Sequence, residues 1–334
     1  MHAFAYAAPA TVAEAIEALH TAGPGSRLLA GGTTLYDLMK LEIETPRTVV
    51  DISRLAELSA VDTSRPDELR FGAGARMADV ADDPILRRDY PALAESLSQA
   101  ASPQLRNMAT LGGNLLQRTR CSYFRGGPTF PCNKRDPGSG CAARGGLDRG
   151  HALFGASDAC IATYPADWGV ALLAFDASVD VTGPAGERTV ALADLHVEPA
   201  DTPQREHTLA ADELIVRIRV PVTAAGKGST YHKIRDRESY AFALVSAAAA
   251  LTVDDRGVVE DCRIALGGVA TRPWRSAAAE QAMIGTRLTA HSARRAGEIA
   301  FMDARPGTHN AFKVELGART VADALQIAGK RAVR

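Results

Sequence analysis

The sequence predicts an α+β chain in two domains, and three observations predict it. Strand and helix patterns alternate through the first two-thirds, Thr223 to Ser229 (TAAGKGS) reads as a linker, and long apolar strands followed by helices fill the remainder. With 334 residues, 46% of them hydrophobic, the chain is long enough for two or three domains with real cores.

In chain order, Thr11 reads as an N-cap with Glu14 three positions on, a capping box opening an amphipathic helix through Val12, Ala15, Ile16 and Leu19. The opening has no basic start followed by an apolar core, so no signal peptide is read and a cytoplasmic location is the expectation. Leu28, Leu29 and Ala30 then meet Gly31, Gly32, Thr33 and Thr34 before LYDLMK begins with helical spacing. This is strand, tight turn, helix. Glycines let the backbone approach a ligand closely, and a helix start offers unpaired N–H groups and a positive dipole end. Such a turn suits a pyrophosphate, although the same pattern also serves as an ordinary turn. A strand at Thr48 to Ile52 completes a small α/β unit. A strand at Leu69 to Ala75, a helix start at Met77 to Val80 and a helix at Tyr90 to Ala101 lead to a second glycine pair in RNMATLGGNLLQ, Arg106 to Gln117. Two glycine-rich loops could therefore close on one ligand.

From Cys121 to about Gly150, glycines and prolines break any periodicity, as in a loop that is either disordered or functional. Regular structure resumes at Val170 to Phe175 and Val179 to Thr182, then in the alternating strand Leu214 to Val220, stopped by Pro221. Beyond the linker, strands are expected at Ser239 to Val253 and Val258 to Leu266, with helices at Arg275 to Ile284, Ser292 to Met302 and Val321 to Lys330. The longest apolar run is too short and too rich in alanine to span a bilayer. A net charge of −1 argues against a general nucleic-acid binder.

Four of the five cysteines, Cys121, Cys132, Cys141 and Cys160, fall within forty residues, while Cys262 sits in an apolar strand as an inert core thiol. Disulfides belong to oxidising compartments and small domains. Zinc would accept four thiolates, but its ligands usually pair as C-x₂₋₄-C, a spacing not found here. An iron–sulfur cluster also takes four thiolates, with tighter spacing in its best-known signatures. Spacing alone does not choose. Arg118, Arg120, Arg125, Lys134, Arg135, Arg144 and Arg149 oppose only Asp136 and Asp148, and such a loop would offset the negative charge of a thiolate-bound cluster; a solvated basic loop is the plainer reading.

LLAGGTTLYDLMK and RNMATLGGNLLQ together resemble the two FAD-binding loops of the flavoprotein (medium) subunit of the xanthine dehydrogenase, or molybdenum hydroxylase, family. The resemblance extends through FAYAAPATVAEAIEAL, TYPADWGVALLAFDA, LIVRIRVP and YHKIRDRESYAFALVSAAAAL, which is essentially the whole chain. It implies a p-cresol methylhydroxylase-type FAD-binding domain over residues 1–222, in subdomains of about 1–55 and 56–222. A smaller α+β domain of the CO dehydrogenase flavoprotein type would follow over 228–332. The inserted loop, about 118–160, resembles those of the 4-hydroxybenzoyl-CoA reductase β subunit and, most closely in CSYFRGGPTFPCNKRDPGSGC, the FAD subunit of periplasmic aldehyde oxidoreductases. Both use it to hold a [4Fe–4S] cluster, which would make Cys121, Cys132, Cys141 and Cys160 its ligands.

Carried over by position, Leu28, Leu29, Ala30, Gly31, Gly32, Thr33, Thr34 and Leu35 would wrap the FAD pyrophosphate. Thr110, Gly112, Gly113 and Asn114 would form the facing loop. Asp167 matches an aspartate that contacts the cofactor and also reads as a helix N-cap; Lys233 matches a lysine near the isoalloxazine ring and also reads as an exposed strand lysine. Ile215 or Val216 would cover the ring. Gln117 departs from the small hydroxyl residue of some relatives and receives no role.

No Ser-His-Asp set, H-E-x-x-H or obvious carboxylate pair is read, and His151, His196, His207 and His232 are scattered, so no catalytic residue is assigned. The resemblance implies an electron-transfer subunit in a heterotrimer. A molybdenum-cofactor large subunit would oxidise an aldehyde, a [2Fe–2S] small subunit would relay electrons to the FAD held here, and an external acceptor would take them. The alternatives are a self-sufficient FAD-dependent oxidase and a metal-stabilised binding module. In the periplasmic relatives one subunit carries the export signal for the complex, so co-export is the rival to a cytoplasmic location.

Overall fold

Three sheets, each with its own core, organise the chain in a computed structural model that describes residues 1–333. The first unit comprises β1 (Ala5–Ala7), α1 (Val12–Ala22), β2 (Ser26–Leu29), α2 (Leu35–Lys40) and β3 (Thr48–Asp51). Its strands pair in parallel in the order β1-β3-β2. The Thr11 hydroxyl accepts the Glu14 N–H at 3.2 Å, while the Glu14 carboxylate accepts the Ala10 N–H at 2.7 Å, so the capping box closes one residue early. Ala15 and Leu19 of α1 are buried against Val50, Ile52, Leu55 and Leu58, as the helical spacing requires.

The second unit adds β4 (Val61–Asp62), β5 (Glu68–Gly72), α3 (Met77–Ala81), α4 (Pro84–Asp89), α5 (Pro91–Ser98), α6 (Pro103–Arg106), α7 (Leu111–Leu115) and α8 (Ser122–Arg125). It continues with α9 (Trp168–Ala174), β6 (Ser178–Gly183), β7 (Gly186–Ala191), α10 (Leu192–Leu195) and β8 (Leu214–Pro221). Its antiparallel sheet runs β4-β5-β8-β6-β7. A register shift at Val216, opposite Asp180 and Val181 of β6, lets Ile215 and Ile218 both enter the main core while Leu214 and Val216 lie toward the first unit, so one strand joins two cores. The VALLAF run is helical: all seven residues of α9 are buried, which explains its lack of an amphipathic pattern.

The third unit holds β9 (Ser229–Ile234), β10 (Val245–Val253), β11 (Val259–Gly267), β12 (Trp274–Arg275), α11 (Ala277–Met283), α12 (Ala290–Ala300) and α13 (Phe312–Ala332), with sheet order β12-β11-β10-β9. Ala248 and Ala250 face the main core, whereas Val245, Ala247, Ala249 and Leu251 face the helices. Burial on both faces is why this strand reads as a continuous apolar run, and alanine keeps the layers close. Two expectations are corrected. The strand begins at Val245, because Ser239, Tyr240 and Phe242 are exposed and Tyr240 adopts φ 54°. The last helix begins nine residues before Val321, its polar first turns masking the period.

Candidate functional site

The two glycine loops meet. Gly31 sits against the backbone of Met108 and Ala109, and a Cβ at Gly31 would collide with the Met108 carbonyl oxygen. Only glycine allows that approach. Gly32 has φ 73°, the left-handed region that favours glycine. Leu28 to Leu35 are half-buried, and among the described residues the N–H groups of Gly31, Gly32, Thr33 and Thr34 donate to no protein acceptor. Four free donors ahead of α2 form the kind of cradle a pyrophosphate requires.

The facing loop is built differently. Thr110 caps α7, its hydroxyl accepting the Gly113 N–H at 3.3 Å, and the Gly112 N–H donates to the Ala73 carbonyl at 2.8 Å. Its donors are spent on the fold. Asn114 is 8% exposed, and its Oδ1 is buried without a protein partner, an orphan acceptor of the kind a bound molecule satisfies. An FAD therefore fits here on two observations: the free N–H row and the Asn114 orphan.

Asp167 and Lys233 come together. Lys233 Nζ lies 2.8 Å from Asp167 Oδ2 and also donates to the Gln99 carbonyl at 3.1 Å, while the Tyr231 hydroxyl donates to Asp167 Oδ1 at 2.5 Å. Lys233 is thus no exposed strand lysine. Asp167 holds the N-cap position of α9, but its side chain makes no capping bond because Tyr231 and Lys233 occupy it. Burial pushes the Asp167 carboxyl above its ordinary range, and the Lys233 ammonium opposes that rise. Ile215 is packed in the main core; Val216, on the opposite face of β8, lies toward the first unit.

The cysteine loop gathers four thiols. Cys121, Cys132, Cys141 and Cys160 all line one small pocket. Cys132 and Cys141 are paired across an isolated antiparallel bridge, which brings residues nine apart side by side. All five cysteines are free thiols. Among the described residues no three His, Cys, Asp or Glu side chains converge as a single ion would require. Burial pushes the Cys121 thiol up to about 11 and raises that of Cys160, so without a bound metal both are protonated. Cys262 lies buried in β11, its thiol pushed up to about 12 by burial.

Five of the seven basic residues of this loop are partly buried; Arg144 and Arg149 are exposed. Arg118 bridges Glu44 and Glu206 at 2.5 Å each, Arg120 and Arg125 pair with Asp37 of α2, and Lys134 lies 3.0 Å from Glu206. Arg135 donates to the carbonyls of Tyr123, Phe124 and Phe130. Arg144 pairs with Asp158 and Arg149 with Asp236. The charge of the partly buried ones is spent pinning the loop, with Phe124 and Cys132 packed on Leu38 of α2. The helix that follows the first glycine loop is therefore also the floor of the cysteine loop.

Sequence reading passed over His151. It is 5% exposed, and its Nε2 lies 3.2 Å from Cys121 Sγ. Thirty residues separate the pair, and no motif announces it. His196 and His207 also meet, in a bridge beside Glu206.

Comparison with known proteins now adds to this geometry. Residues 2–223 match the model of the FAD binding domain in molybdopterin dehydrogenase, and residues 229–328 match the CO dehydrogenase flavoprotein C-terminal domain. The chain is 46% identical over 326 residues to the aldehyde oxidoreductase FAD-binding subunit PaoB of Escherichia coli (strain K12), covering 97% of this chain and 98% of that protein. It is 27% identical over 303 residues to the carbon monoxide dehydrogenase medium chain of Hydrogenophaga pseudoflava, covering 91% and 88%. A solved structure of carbon monoxide dehydrogenase from the same organism superposes with a TM-score of 0.77 at 27% identity, over 99% of this chain and 98% of that one. Quinoline 2-oxidoreductase from Pseudomonas putida 86 shares the fold, with a TM-score of 0.76 at 24% identity and coverage of 100% and 99%.

Proposed function

The chain belongs to the FAD-binding medium subunits of the molybdopterin dehydrogenase family, and from that premise we propose that it is the electron-transfer subunit of a molybdenum-containing aldehyde oxidoreductase, carrying both FAD and a [4Fe–4S] cluster. The observation that carries the two-cofactor reading is the gathering of four cysteines, spread over forty residues, around one cavity. The aldehyde reading rests on the similarity to the PaoB subunit, which runs nearly end to end.

Gly31 to Thr34 would hold the FAD pyrophosphate through their N–H groups, with Asn114 on the facing side. Lys233 would place a positive charge near the flavin only within the neutralising reach of Asp167, so the pair is a fixed dipole rather than a free cation. Cys121, Cys132, Cys141 and Cys160 would hold the cluster in the pocket they line, whose Phe124 and Cys132 pack on α2. Both cofactors supply electron-transfer chemistry when bound; the protein sets their distance, polarity and access. Substrate oxidation falls to a molybdenum-cofactor partner, a [2Fe–2S] partner delivers the electrons, and an external acceptor removes them.

The test is anaerobic addition of an aldehyde to the isolated chain and to the reconstituted three-subunit complex. Flavin bleaching in the complex alone supports the proposal. Bleaching in the isolated chain overturns it in favour of a self-sufficient oxidase.

A further inference from the structure

We propose that His151 is a positioning residue for the iron–sulfur centre, donating a hydrogen bond from Nε2–H to the Cys121 sulfur and thereby raising the reduction potential of the cluster. The inference rests on the [4Fe–4S] reading of the cysteine cavity. Three observations on this chain carry it: the Nε2 to Sγ distance of 3.2 Å, the burial of the ring, and the manner in which the histidine backbone is fixed.

A metal-bound cysteine is a thiolate, which accepts hydrogen bonds and cannot donate one. A neutral imidazole facing it is attracted only as the tautomer protonated on Nε2. His151 Nδ1 is buried with no partner, so no neighbouring acceptor draws the proton to the other nitrogen. The environment therefore favours the tautomer that points its N–H at sulfur. Such a bond withdraws electron density from the ligand and stabilises the more negative, reduced cluster more than the oxidised one.

The backbone holds this ring from another domain. The His151 carbonyl accepts hydrogen bonds from Asn310 Nδ2 and from the fully buried Lys313 Nζ, each at 3.2 Å. The His151 N–H donates to the Asp148 carbonyl at 2.8 Å. The Asp148 carboxylate in turn accepts the N–H groups of Thr308 and His309, at 2.8 and 2.7 Å. Residues just before and within the start of α13 thus clamp the segment from Asp148 to His151, and the ring is presented to Cys121 by the C-terminal unit.

The experiment is a redox titration of the full chain, followed by the electron-spin signal of the reduced cluster, with iron and sulfide assayed on each sample. His151→Leu removes the donor and His151→Gln retains an N–H. The expected result for His151→Leu with full iron is a more negative midpoint. Its equilibrium constant for reduction should fall about threefold to tenfold, tenfold being 59 mV for one electron. His151→Gln should lie between that variant and the parent. An iron-replete His151→Leu at the parent potential overturns the inference while leaving the cluster reading intact. Where His151→Leu loses its iron, His151→Gln decides: iron retained with a small shift supports the hydrogen bond, and iron lost from both variants assigns the residue to packing alone and overturns it. A parent protein without iron under anaerobic preparation overturns the cluster reading itself, and the inference with it.

Discussion

Lys233 and Asp167 form an ion pair 2.8 Å apart inside the protein, with the lysine side chain wholly buried and the aspartate side chain 6% exposed. They stand 66 residues apart, on β9 and at the start of α9, so the pair fastens the FAD-binding units to the C-terminal sheet.

Replacing one partner strands the other. Lys233→Met leaves an uncompensated buried carboxylate, which costs about 3–5 kcal/mol for a buried pair. Burial already raises the Asp167 carboxyl, and the substitution removes the group that most opposes that rise. A carboxyl whose folded pKa is raised binds its proton more tightly when folded than when unfolded. Its favourable contribution is present below the unfolded value of 3.8 and is lost as pH rises through the raised folded value. Thermal melts should show Lys233→Met losing stability relative to the parent as pH rises from about 4. A difference that shrinks with rising pH would contradict this account.

A separate expectation concerns the loop beneath α2. Sequence separation predicts that Cys141→Ser removes iron and leaves FAD in place, since the free N–H row of Gly31 to Thr34 is far from Cys141 along the chain. Phe124 is different: it is 1% exposed and packs on Leu38 of the helix that follows that row. Truncation to alanine in a core typically costs about 3–5 kcal/mol. Phe124→Ala should lower both iron and FAD per chain, whereas Cys141→Ser should lower iron alone. Equal FAD loss in the two variants would show that cluster and flavin site cannot be separated.

Lys313 gives a pH signature of the opposite sign. Its side chain is buried among carbonyls, and burial lowers its pKa from 10.5 to about 8. Below that value both states hold the proton, so the full cost of the buried ammonium weighs on folding there. Stability rises as pH climbs from about 8 toward 10.5. Urea unfolding across this range should show the rise in the parent and not in Lys313→Met, and equal slopes in both would refute the assignment.

Much of the fold is legible in local pattern. The Thr11 cap, the strand–turn–helix at Leu28 to Lys40 and the alternation of Leu214 to Val220 each follow from short-range rules, and each forms where the sequence places it. Patterns fail where tertiary burial overrides them. The α9 run is apolar on every side because it is enclosed, and the segment before Val245 is apolar yet exposed. For the site, the glycine loops announce themselves through conformational need. The Asp167–Lys233 pair, the Arg118 bridges and the approach of His151 to Cys121 do not, because partners 30 to 88 residues apart carry no mutual signal in one sequence.

The central claim is that one chain carries flavin and cluster together. An anaerobic absorption spectrum, with iron, sulfide and FAD quantified on the same sample, tests it most directly. The account predicts flavin bands over a broad iron–sulfur shoulder with about four irons per FAD. Flavin without iron would contradict it and return the four cysteines to another role.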